Sequence, residues 1–313
     1  MARRLVIALG GNALSETESH RSSVSEQAGA ARQAFAAIAD VMARSEHVLV
    51  VHGNGPQVGS LLMRSDISVD VQHLPPLPLD TCVADTAGGL GYTLARELRN
   101  ALEGIGVTCD VAPIVTSVLV EDLDGPPTKP IGQSYPAERR AELEARGWTV
   151  AETPEGRVRR VVRSPAPERV LELRAIRRLY ESGTIVIAGG GGGVPVRLGD
   201  DGELHGVEAV IDKDLVACLL ARELGAETLL ILTNVERVAV HYGTPQERAL
   251  DRVSASELRA LQREGHFPPG SMGPKVEAAL RFVEQGGGEA IVSSLAAASL
   301  ALAGETGTRV VAG

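Results

Sequence analysis

Lysine is nearly missing from these 313 residues: three lysines stand among 31 basic side chains, so arginine carries almost all of the positive charge. Aromatic residues make up only 3%, which excludes a base-stacking platform. An excess of basic charge is missing as well. The formal charge of −9 argues against a phosphate-neutralising surface, so no nucleic acid is expected as a partner. No apolar run approaches the roughly 18 residues of a membrane span, and the stretch after Arg3 and Arg4 is apolar only from Leu5 to Leu9, too short for a signal-peptide core. Cys82, Cys109 and Cys218 are odd in number, far apart and in no metal-ligand spacing, so neither a disulfide framework nor a zinc site is indicated. A soluble, unexported protein in a reducing cytoplasm, without a membrane partner, is the expectation.

What the chain does contain is an alternation. Short β-branched runs (LVIAL at 5–9, HVLVV at 47–51, DVAPIV at 110–115, TIVIA at 184–188, TLLILT at 228–233, EAIVS at 289–293) are separated by longer amphipathic segments. Continuous apolar strands divided by helical patterns predict an α/β fold, a mostly parallel sheet covered on both faces. Helices are expected over 25–45, 56–68, 80–103, 169–182, 212–224, 254–264, 274–285 and 294–303. Pro56 and Pro274 stand where first helical positions would be, and Asp80 and Ser254 are suitable N-caps. Between about 121 and 167 the alternation breaks into a Pro-rich loop, a short helix near 137–146 and two strand-like pieces. That segment reads as a subdomain protruding from one continuous domain that spans 1–313.

Three glycine-rich turns, LGGNA, HGNGPQVG and AGGGGGVPV, each follow an apolar strand. At the C-terminal ends of parallel strands such turns aim backbone N–H groups at an anion. The bland alternative is that each glycine only makes a tight turn. Five consecutive glycines cost much backbone entropy, which suggests a ligand approaching where any Cβ would collide. Neither the P-loop pattern nor the dinucleotide G-x-G-x-x-G occurs, so a bound phosphate would sit in another geometry.

The three lysines have telling addresses. Lys213 lies between Asp212 and Asp214 at an expected helix start, Lys275 follows a Gly-Ser-Met-Gly-Pro turn, and Lys129 sits between prolines where the protruding segment begins. A compact ammonium can follow a moving phosphoryl group better than a fixed guanidinium fork. Phosphoryl transfer needs aligned reactants and compensated charge more than covalent chemistry. Lysines converging from several elements would supply this, with Asp214 holding two of them. Taken singly, each is more commonly a solvated surface charge.

The stretches VIALGGNAL, VVHGNGPQVG, PLDTCVA, PTKPIG, GVEAVIDKD, LILT and GHFPPGSMGPKVEAA closely resemble the carbamate kinases, members of the amino acid kinase superfamily, almost end to end. The resemblance implies a three-layer αβα sandwich with a protruding lid. It also implies reversible phosphoryl transfer between ATP and carbamate, giving ADP and carbamoyl phosphate, with Mg²⁺, usually in a homodimer. In arginine-fermenting bacteria that family runs toward ATP. By resemblance, Lys213, Lys275, Asp214, Lys129 and Asn12 are the catalytic set, with Asn12 in the first-strand loop beside Gly10 and Gly11. Gly53, Asn54 and Gly55 would hold the carbamate end and Arg159 would assist from the lid, although Val158 stands where the family usually has tryptophan. Thr233, Asn234, Tyr242, Met272 and Gly273, together with Lys275, would take the nucleotide. No protein metal ligands are implied. Asp85 and Ala87 depart from the family pattern. His52, beside a glycine loop, is a weaker candidate for a general base, since carbamate is already an anion.

Two other readings remain at this level. One is a related acid kinase acting on acetylglutamate, aspartate or a phosphorylated small molecule; many of those carry a lysine on the first strand's loop, and none precedes Lys129 here. The other is a nucleotide-binding sensor that has lost catalysis, which could dispense with the lysines.

Overall fold

The first strand, β1 (Arg4–Leu9), sends Leu5, Ile7 and Leu9 to one side and Val6 and Ala8 to the other, and all five are fully buried. A strand with no wet face needs a layer on each side. The computed structural model describes residues 3–10, 23–121 and 123–313, and supplies both layers.

After β1 come α1 (Val24–Ala43), β2 (His47–His52), α2 (Gly55–Gln72), α3 (Leu79–Gly104), β3 (Val111–Pro113) and β4 (Ser117–Leu119). Next are β5 (Lys129–Tyr135), α4 (Arg140–Ala145), β6 (Val150–Glu152), β7 (Val158–Val162), β8 (Arg169–Val170), α5 (Leu173–Glu181), β9 (Ile185–Ile187), β10 (Val194–Leu198) and β11 (Leu204–Gly206). The chain continues through α6 (Lys213–Glu223), β12 (Thr228–Thr233), a hairpin of β13 (Ala239–Val240) and β14 (Arg248–Ala249), β15 (Arg252–Ser254), α7 (Ala255–Arg263), α8 (Met272–Glu284), β16 (Glu289–Ser294), α9 (Ala298–Ala303) and β17 (Thr308–Val311).

Eight strands form the central sheet in the order β15-β17-β16-β12-β1-β2-β9-β3. Its pairings are parallel except for β17 against β16. On one face Leu5, Val50 and Leu230 pack with Phe35 and Ile38 of α1 and Leu94 and Leu98 of α3. On the other, Val6, Val51 and Ile231 meet Ile176 of α5, Leu220 of α6 and Leu280 of α8. This is the expected αβα sandwich. The chain leaves β1 for β2 on one side, and β12 later takes the other side. The ends of β1 and β12 therefore flank a topological switch point, where such sheets open a crevice.

Several boundaries differ from the sequence-based expectation. Arg169–Val170 pairs antiparallel with β4, so the helix expected from 169 begins at Leu173. Helix α8 starts at Met272, two residues before Pro274, and α3 starts at Leu79 with Asp80 already in its first turn. Ser254 caps α7 as expected, its side chain accepting from the Glu257 amide. A second sheet, β11-β10-β4-β8, was not foreseen; its strands are too short to show a period.

Residues 129–162 build a third sheet, β5-β7-β6, antiparallel throughout. Tyr135, Leu143 and Val158 make its own small core. Ile131 and Val162 reach instead into a cluster with Val58 and Leu62 of α2 and Leu79 and Val83 of α3. Polar ties reinforce this seat: the Tyr135 hydroxyl donates to Asp66 (3.1 Å), Arg146 pairs with Asp70 (2.9 Å), and Arg160 pairs with Glu208 (2.6 Å).

The five glycines from 189 to 193 are all buried, and four have positive φ. The atoms that side chains there would strike belong to the protein itself. A Cβ at Gly190 would lie 2.6 Å from His52 Nε2, at Gly191 2.2 Å from Asn54 Oδ1, at Gly192 2.2 Å from Ile211 O, and at Gly193 2.4 Å from Val118. The loop lacks side chains because neighbouring segments of the protein close on it, which corrects the idea that a ligand alone demands it. Gly192→Ala, with φ of +94° against backbone, is expected to cost about 3 kcal/mol in urea denaturation. Gly202→Ala, with φ of +79° and open space around it, should cost only about 1 kcal/mol. Equal losses would show that the clash with Ile211 is not what fixes this glycine.

Candidate active site

Helix α6 begins where an apolar segment ends in Asp212. This residue caps the helix through Oδ1, which accepts from the Asp214 amide at 2.9 Å. The turn places Lys213 and Asp214 side by side at the helix N-terminus. Lys213 Nζ donates to Asp214 Oδ1 at 2.5 Å. Lys275, one turn into α8, reaches the other oxygen of the same carboxylate at 3.3 Å and also donates to the Ser271 carbonyl. The third lysine arrives from β5: Lys129 Nζ lies 3.1 Å from Asp212 Oδ2. All three scarce lysines therefore meet two aspartates two residues apart in sequence.

Asp214 is 2% exposed. Burial pushes its carboxyl up, but the ammonium groups of Lys213 and Lys275 outweigh burial and hold it below the ordinary carboxylate range. Three ammonium groups against two carboxylates leave excess positive charge, and the N-termini of α6 and α8 add their dipoles. An anion is the natural occupant.

A cavity of about 440 Å³ opens beside these groups. Gly10, Lys213, Lys275, Thr233, Asn234, Tyr242 and Met272 line it, all residues singled out from the sequence. Gly10 belongs there because its amide donates to the Leu232 carbonyl, which keeps β1 and β12 paired up to the rim. Val235, Arg237, His266, Phe267, Pro268 and Ser271 also line it; the stretch GHFPPGSMGPK held four of these six without their being singled out. Arg237 turns its guanidinium toward Asp251 (2.9 Å).

Other candidates lie nearby without lining that cavity. Gly53 continues the β1–β2 ladder by donating to the Leu9 carbonyl, so Gly53, Asn54 and Gly55 stand at the strand end next to Gly10. Asn54 is buried beneath the glycine loop and donates to Thr86 Oγ1 at 3.0 Å. Gly273 sits in the first turn of α8, its amide bound to the Pro268 carbonyl. Arg159, on β7, pairs in register with Ser134 of β5 and Ala151 of β6, in the same small sheet as Lys129. Gly11 and Asn12 lie outside the described residues.

His52 is 1% exposed, its Nδ1 donating to the Gly53 carbonyl at 3.1 Å. Burial pushes its imidazole down to about 4, so it is neutral at neutral pH. Its other nitrogen abuts the glycine loop, and the residue packs a strand end. Among the described residues no Asp or Glu lines the cavity. Among the described residues the one His/Asp/Glu group able to gather round a metal is Asp201, Glu203 and His205, none of which lines it.

A profile of the amino acid kinase family matches residues 3–294. The chain belongs to the amino acid kinase family. A carbamate kinase of Pyrococcus furiosus is 45% identical over 99% of this chain and 100% of its own length. Carbamate kinase of Giardia lamblia bound to AMP-PNP superposes with a TM-score of 0.92 at 34% identity, covering 100% of this chain and 99% of that one. The same protein thiocarbamoylated by disulfiram on a cysteine gives 0.89 at 34% identity, with the same coverage. The resemblance drawn from the motifs is thus upheld, and in this family the chain is a phosphotransferase.

Removing the charge that holds two lysines leaves them unpaired, so Asp214→Asn should cost about 3 kcal/mol at pH 7 in denaturant titrations. Because the folded carboxyl is shifted down, this stabilisation is complete above the unfolded pKa near about 4 and fades as pH falls through the lower folded value. A gap that widened toward acid would contradict the pairing.

Proposed function

We propose that the protein transfers a phosphoryl group between ATP and carbamate, giving ADP and carbamoyl phosphate, and that it runs toward ATP in amino-acid (arginine) catabolism in the cytoplasm. The observation that carries this reading is the meeting of Lys213, Lys275 and Lys129 on Asp214 and Asp212 beside a nucleotide-sized cavity. The full-length likeness to carbamate kinases supports the choice of acceptor.

The nucleotide lies along Thr233, Asn234, Tyr242, Met272 and Gly273, with its terminal phosphate toward Gly10 and the lysines. By the family resemblance Gly11 and Asn12, outside the described residues, contact the transferring phosphoryl group. Lys213 and Lys275 compensate charge on the transferring oxygens; Asp214 holds them apart and oriented. Carbamate occupies the side of Gly53, Asn54 and Gly55, where a base is unnecessary and a neutral His52 does no harm. Mg²⁺ enters with the nucleotide phosphates as part of the substrate, in keeping with a cavity lining that, among the described residues, offers lysines rather than carboxylates. The segment 121–167 acts as a lid that brings Lys129 and Arg159 over the phosphate end. Exposed Tyr92 and Val115, near the open edge of the sheet at β3, suit a homodimer contact.

The purified protein should form ATP from ADP, Mg²⁺ and fresh carbamoyl phosphate. Lys213→Arg and Lys275→Arg should each lower turnover about a hundredfold with the fold intact, the loss of roughly 3 kcal/mol typical of a misplaced preorganised donor. Near-wild-type rates in both variants, or no ATP formed despite ADP binding, would reject the reading. A thiol test asks whether a reactive cysteine stands at this site, as disulfiram modifies a cysteine of the Giardia protein. Cys82 and Cys218 are buried, with thiols pushed up to about 11, and none of the three cysteines lines the cavity. Disulfiram should therefore leave ATP formation unchanged, and rapid inactivation would place a reactive thiol at the site.

A further inference from the structure

We infer that Asp212 is a positioning residue, one carboxylate that fixes the catalytic helix and docks the lysine of the small sheet at the same time. The assignment rests on the phosphotransfer reading above and adds a residue to it. The two oxygens are divided between two tasks. Oδ1 accepts from the Asp214 amide at 2.9 Å, which sets the first turn of α6 and with it Lys213 and Asp214. Oδ2 accepts from Lys129 Nζ at 3.1 Å.

The neighbourhood makes this pair more than a surface contact. The extended segment that precedes Asp212 is where the small sheet is fastened: the Val210 amide donates to the Arg163 carbonyl at 3.0 Å, and Ala209 bridges Arg163. Val210 also packs against the cluster that contains Ile131 and Val162. A backbone hydrogen bond, an apolar contact and an ion pair thus fall within Ala209–Asp212, directly before Lys213. Asp212 has 13% of its side chain exposed and Lys129 30%, so the pair is partly shielded from water, where an ion pair outlasts screening better than on an open surface. The small sheet is tied to the approach to α6 by all three contacts, and the Asp212 side chain is the one that also caps the helix.

A single amide oxygen cannot serve both partners. Asp212→Asn keeps a good cap acceptor and presents an NH₂ group to Lys129; Asp212→Ser keeps the cap and presents nothing. Both variants should unfold at the wild-type temperature and lower kcat about tenfold, with the KM for ADP little changed. In a double-mutant cycle, Lys129→Ala combined with Asp212→Asn should be no slower than Lys129→Ala alone. Amide exchange over 129–135 should quicken in Asp212→Asn without any substrate present. Multiplying losses in the double mutant, or unchanged exchange at 129–135, would overturn the assignment. If the wild type forms no ATP from carbamoyl phosphate, the phosphotransfer reading falls, while the exchange experiment still decides whether Asp212 docks the sheet.

Discussion

One buried carboxylate pulling on two ammonium groups is the constraint around which this site is organised. Asp214 cannot be buried as an anion without partners, and its two partners come from the first turns of different helices. Helices α6 and α8 lie against the same face of the sheet through Leu220 and Leu280. The apolar core therefore sets the spacing that the ion triad needs. The triad in turn holds two positive charges at the rim of a cavity, ready for an anion and already paid for in desolvation by their shared aspartate.

The sheet explains why this rim exists at all. Parallel strands β1, β2 and β12 end together, so the turns that follow them converge on one edge. The glycine loop after β9 closes against His52, Asn54, Ile211 and Val118 and braces those turns from behind. In this way a loop that reads like a phosphate cradle serves the site by packing. The small sheet on 129–162 adds the third lysine from outside the sandwich, seated on α2 and α3 by Ile131 and Val162 and by its tie to Asp212.

Much of this was legible in the sequence because long buried strands and amphipathic helices carry their period openly. Leu5 through Leu9 alternates between two cores, and the helices were placed to within a few residues. The lysines were legible for a different reason: in an arginine-rich chain their rarity marked them. What escaped was short or relational. Strands of two or three residues such as Arg169–Val170 have no period. A capping residue such as Asp212 looks ordinary until Lys129, 83 residues earlier, is found on its second oxygen. The cavity wall from His266 to Pro268 was visible as a motif, but its role depends on where α8 packs.

The most direct test of the account is a crystal structure of the protein with ADP, Mg²⁺ and aluminium fluoride, a planar mimic of the transferring group. The account expects the mimic between Gly10 and the start of α6, with Lys213 and Lys275 Nζ each within about 3.2 Å of a fluoride and Asp214 still between them. A mimic bound elsewhere, or either ammonium turned away from it, would contradict the claim that these lysines carry the transfer.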